Sequence, residues 1–142
     1  MNSYASIILG GSDRNVEFLG AYVAWLINAR MFVEAIERIS GEAITRVRMQ
    51  SATGADFLAT ELHGELEASH LTENGRDFTE HYFLSGFYKQ DFLKVEFTGE
   101  NEWLRYAELA PLISAAYRDY QASKKPSLGK KLAKILKFPG KR

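Results

Sequence analysis

The sequence contains no cysteine. That excludes a disulfide scaffold, a cysteine nucleophile and a thiolate zinc site, and it fits a reducing compartment. Its central apolar run, Phe18 to Ile27, is about half of the roughly 20 residues that a membrane-spanning helix needs. No cation precedes Arg14, and Ser6-Ile7-Ile8-Leu9 is far shorter than the apolar core of a secretory signal. The expected location is therefore the cytoplasm. Neither Gly-x-Gly-x-x-Gly nor a P-loop lysine follows Gly10-Gly11, so that pair reads as a tight turn rather than a phosphate cradle. A nucleophile elbow, a kinase glycine loop and His-Glu-x-x-His are also missing.

Acidic residues stop at Asp119. The formal net charge of +0 therefore conceals two unlike segments. Residues 1–123 carry eighteen acids and ten cations, a balance of −8, and residues 124–142 carry eight cations alone, +8. A division this sharp marks an interaction tail. The expected organisation is one acidic globular domain over 1–123, followed by a basic amphipathic tail over 124–142.

What is present begins with the uncharged run. Asp13, Arg14, Glu17 and Arg30 flank it, so a helix over Arg14–Ala29 would be apolar all round and must be covered on several sides. The expected fold is mostly α: a compact multi-helix domain around this buried central helix. Ser12 or Asp13 is a suitable N-cap. Met31–Ile39 reads as a second helical piece with Phe32, Ala35, Ile36 and Ile39 on one face, stopped by Ser40-Gly41. Tyr4–Leu9 and Ile44–Met49 read as two short strands, a two-stranded element over residues 4–9 and 44–49 backed by helices.

Residues 55–98 admit two readings. In one, Asn74-Gly75 is a type I′ hairpin turn within an antiparallel meander, which gives an α+β fold. In the other, Ala55–His63 and Leu71–Leu84 are helices closed by Gly64 and by Ser85-Gly86. Leu71, Gly75, Phe78 and Tyr82 recur at i, i+4, i+7 and i+11, which favours helix. Asn101 then caps a helix with Trp103, Tyr106, Ala107 and Ala110 facing inward, and Leu112, Ala115, Ala116 and Tyr120 continue its stripe beyond Pro111.

Two constellations could carry function. His70, Asn74, Asp77 and His81 fall four, three and four residues apart. On a helix they form one polar line, and Asp77 with His81 could hold a metal or move a proton. The plainer reading of that line is the solvent face of an amphipathic helix. The tail is the sharper pattern. Leu128, Leu132, Ile135 and Leu136 recur at i, i+4, i+7 and i+8, with Lys130, Lys131, Lys134 and Lys137 away from that stripe. Ser127 can cap this helix after Lys124-Lys125-Pro126, and Pro139-Gly140 can stop it before Lys141-Arg142. It could rest on an anionic membrane, bind an acidic partner, or dock on its own acidic body.

These patterns lead to one expectation and two alternatives. The expectation is a small non-enzymatic cytosolic protein that recognises another macromolecule, of the accessory or toxin-neutralising kind by analogy alone. Its binding residues would be the eight tail cations Lys124, Lys125, Lys130, Lys131, Lys134, Lys137, Lys141 and Arg142, with no cofactor or metal. The alternatives are a peripheral membrane protein held by the tail and a metal-dependent enzyme using His70, Asp77 and His81. Nucleic acid is the poorer partner, because the acidic body would repel phosphate.

Overall fold

A computed structural model describes the backbone of residues 3–6, 13–95 and 102–136, with side chains from 18 to 95 and from 103 to 123. Ile7–Leu9, Gly10-Gly11, Ser12, Asn101 and the tail beyond Leu136 lie outside the described residues.

The protein is mostly helical and is built on α1, Asp13–Asn28. Every residue from Leu19 to Ile27 is buried, as an all-apolar helix requires. Arg30 ends it in the left-handed region (φ 59°). The Met31 N–H there donates to Leu26 O (2.9 Å) and the Arg30 N–H to Ile27 O (3.1 Å), which closes the last turn. Arg48 reaches the same end. Its guanidinium donates to Ile27 O (3.0 Å) and pairs with Glu37 (3.2 Å), which places a cation at the negative pole of the helix.

Two short helices follow, α2 (Glu34–Ile39) and α3 (Gly41–Arg48), hinged at Ser40. The strand expected over Ile44–Met49 is therefore a correction. Ile44 and Val47 are three residues apart and are buried together, a spacing that one face of a strand cannot provide. Arg46 and Glu42 pair at 2.6 Å, four residues apart on the same helix. Ile39 is also a correction: it is 80% exposed, and α2 buries no residue. Phe32 packs inside just ahead of α2, bridged to Leu71.

The helical reading expected over 55–98 holds for most of the described residues, 55–95. Helix α4 (Gly54–Glu61) starts at a capping box in which Thr53 accepts from the Asp56 N–H and Asp56 from the Thr53 N–H. Left-handed His63 and Gly64 (φ 56° and 83°) end it and turn the chain into β2, Glu65–Glu67. The partner of the N-terminal strand is here: β1 (Ser3–Ser6) pairs antiparallel with β2, Ser3 opposite Glu67 and Ser6 opposite Glu65. A 3₁₀ turn, Ala68–His70, leads to α5 (Glu73–Phe78). Thr72 caps α5 by accepting from the Gly75 N–H at 3.1 Å, so Asn74-Gly75 lies inside a helix and makes no hairpin. A π-helical turn, Thr79–Phe83, continues from α5, and α6 (Phe87–Lys94) follows left-handed Gly86.

The last helix, α7, runs from Glu102 to Leu136 without interruption. At 35 residues it is about 52 Å long. It passes through both Pro111 and Pro126, so the basic segment expected as a separate helix beginning at Ser127 is the distal part of α7. Among its described side chains, Tyr106, Leu109 and Ile113 are buried; Ala107, expected to face inward, lies one step off that face and is exposed.

The two sides of α1 pack differently. Against α4 the backbones nearly touch. A β-carbon built on Gly54 would stand 1.9 Å from Gly20 O, and one on Gly20 would stand 2.7 Å from Ala55 N. Only glycine permits that approach. The other side is aromatic. Tyr22 lies 4.9 Å from Phe83 and 5.1 Å from Tyr88, and Trp25 lies 5.4 Å from Phe78 and 5.6 Å from Tyr117. Each polar tip in this cluster has a partner. Tyr22 Oη and Thr79 Oγ1 are 2.9 Å apart, the Tyr88 hydroxyl donates to Phe18 O (2.6 Å), and Trp25 Nε1 donates to Ser114 Oγ (3.0 Å).

Candidate functional site

The polar line drawn from the sequence is split by the fold. His70 sits on the 3₁₀ turn, where its Nδ1 accepts from the Glu67 N–H (3.0 Å). Burial there pulls the imidazole below its ordinary 6.5, with Glu67 and Glu65 opposing the shift. Asn74 donates to the Tyr117 hydroxyl on α7. Asp77 lies on α5, and His81 lies on the π-helical turn that follows it. Among the described residues, no three His, Asp or Glu side chains come close enough together to hold a metal ion.

His81 instead lines a cleft of about 380 Å³ between the π-helical turn, α6 and α7. Its ring stands 4.8 Å from that of Tyr120 and 5.9 Å from that of Phe87. The Tyr82 hydroxyl donates to Asp91 Oδ2 at 2.6 Å, and Lys94 pairs with Asp91 Oδ1 at 3.2 Å. Burial, then the hydrogen bond and charge of Asp91, push the Tyr82 phenol far above its ordinary 10.0. It stays protonated, and its one hydrogen is committed to Asp91. Asp119 and Ser123 complete the α7 wall. Sequence reasoning singled out His81 and missed Asp91, Asp119 and Tyr120 as its neighbours. These come from two elements, α6 and α7, and no sequence spacing ties either to the π-helical turn.

The tail cations Lys124, Lys125, Lys130, Lys131 and Lys134 occupy the backbone of α7 beyond this cleft. Lys137, Lys141 and Arg142 lie outside the described residues. No helix among the described residues is long and apolar enough to cross a membrane.

A multi-helix domain wrapped around one buried helix is the class that this fold defines. The chain belongs to the family described as a domain of unknown function, DUF7832, whose model matches residues 12–106. No curated protein and no solved structure matches it. The family match stops inside α7, whereas Leu109 and Ile113 of the core, Ser114 against Trp25 and Tyr117 against Trp25 and Phe78 lie beyond it.

Proposed function

We propose that this chain is a non-enzymatic binding protein of the cytoplasm that recognises another macromolecule, a protein with an acidic surface, through the basic end of α7. The observation that carries this reading is the continuity of α7. A body of about 120 residues is roughly 35 Å across, and α7 is about 52 Å long. An uninterrupted helix that long outruns the body and cannot turn back on it, so docking of the tail onto its own acidic body loses ground. The lysines of that segment would supply the cations for such a partner. Long-range attraction between them and an acidic surface would speed encounter and weaken with salt.

A second reading is contact with an anionic membrane surface. Helical backbone to Leu136 would keep Leu128, Leu132 and Ile135 on one stripe, as an interfacial helix needs. One experiment separates the two. The full chain, a Lys130→Glu/Lys131→Glu/Lys134→Glu variant and a Leu132→Ser/Ile135→Ser variant are used for affinity capture from cells of the source organism and for flotation with phosphatidylserine-containing vesicles. The protein-binding reading expects a stoichiometric protein held by the wild type and lost on charge reversal. Vesicle flotation lost in both variants would move the function to the membrane. Capture of the same proteins by all three forms would refute a role for the tail.

A further inference from the structure

The cleft at the π-helical turn has a chemistry that the tail does not use. We propose that it is a binding site for an arginine side chain presented by a partner polypeptide. The charge of its lining favours a cation. Two carboxylates, Asp91 and Asp119, line it against one ammonium, Lys94. Asp91 and Lys94 also lie at different depths. The Asp91 side chain is 15% exposed and that of Lys94 is 66% exposed, so the floor is anionic and the cation sits at the rim. With its proton given to Asp91, the Tyr82 hydroxyl offers an entering group only lone pairs.

The shape of the cleft favours a flat cation. His81 lies between Phe87 and Tyr120, and Phe87 is 47% exposed at the lip. A flat, weakly hydrated cation can slide along such rings, whereas a compact ammonium gains less there. The guanidinium fork can then donate to Asp91 while its plane lies against Tyr120. Lys94 holds Asp91 as a point charge from an exposed position and is readily displaced, because such pairs contribute little. The space, about 380 Å³, equals roughly a dozen waters' share of liquid volume, ample for the side chain. The backbone contributes as well. Single π-helical turns cluster at functional sites, and this one aims both His81 and Tyr82 into the cleft.

The test titrates the ¹⁵N-labelled full chain with the peptide acetyl-Gly-Arg-Gly-amide and with its citrulline isostere, which keeps the shape and removes the charge. The arginine peptide should cause saturable shifts at the amides of His81, Tyr120 and Ser123. The citrulline peptide should bind at least tenfold more weakly. Asp91→Asn should weaken arginine binding by tenfold or more, and Asp119→Asn, at an exposed position where folding is not at stake, by a few-fold. The Lys130→Glu/Lys131→Glu/Lys134→Glu variant should still bind the peptide, so failure of the tail reading leaves this site standing. Equal binding of citrulline, shifts that do not saturate, shifts elsewhere on the protein, or arginine binding unchanged in Asp119→Asn would overturn the assignment.

Discussion

The α4 side of α1 and its aromatic side solve the same burial problem in opposite ways. Toward α4 the chain removes side chains: Gly20 and Gly54 let two backbones meet, and there is no room for one further atom. Toward α5, α6 and α7 it adds the largest side chains available, and every hydroxyl among them must find a partner. Close backbone packing fixes geometry at the expense of tolerance. Aromatic packing leaves seams, and the cleft with His81, Asp91 and Tyr120 opens at one of them. Rigidity and the candidate site are thus on opposite sides of one helix.

The largest expected effect breaks the tight side. Gly54→Ala would set a methyl 1.9 Å from Gly20 O and 2.8 Å from Ala24 N. Both are backbone atoms, so the helices must separate. The loss should be about 4 kcal/mol or more, beyond the usual 1–3 for overpacking, and urea denaturation would measure it. Next comes the aromatic side. Trp25→Ala removes a ring that is 4% exposed, with neighbours on α5 and α7. It should cost roughly 3–5 kcal/mol, and a melting temperature within a degree or two of wild type would place the core elsewhere.

A smaller effect tests where closeness extends. Gly75 lies in a helix, where replacement by alanine would ordinarily help. Its added methyl would meet Met31 Cβ and Met31 O at 3.0 Å, so Gly75→Ala should instead destabilise by about 1–2 kcal/mol. Stabilisation would mean that Met31 can give way. The smallest effect is a pH slope. His70 has its pKa lowered in the folded protein, so the folded state binds fewer protons than the unfolded one just below the ordinary 6.5. Its contribution is complete above that value and is lost as pH falls through the folded pKa. Between pH 7 and 5 the wild type should therefore lose more stability than His70→Asn, which keeps an acceptor for the Glu67 N–H. Parallel slopes in thermal melts would show that His70 titrates as it does in the unfolded chain.

How much of this could be read beforehand depended on range. Helix α1 was legible because ten uncharged residues in a charged sequence have nowhere to go but inside. The α5 helix was legible from the four- and three-residue steps of Leu71, Gly75, Phe78 and Tyr82. Helix α3 was misread because Thr45, Arg46 and Arg48 interrupt the apolar residues and suggest alternation, while the three-residue step from Ile44 to Val47 was the better signal. The pairing of Ser3–Ser6 with Glu65–Glu67 and the meeting of Gly20 with Gly54 depend on residues tens of positions apart. No local pattern encodes them. The cleft was illegible for the same reason, and also because a π-helical turn leaves no period in the sequence.

The claim on which the functional account rests is that the basic end of α7 is an outward binding element and no part of the core. Thermal denaturation of the full chain beside a chain ending at Ser123 tests it most directly. The account predicts one cooperative transition in both, with melting temperatures within about 2 °C. A fall of more than about 5 °C on truncation, over 1 kcal/mol for a domain of this size, or loss of the cooperative transition, would contradict it and return the tail to the body.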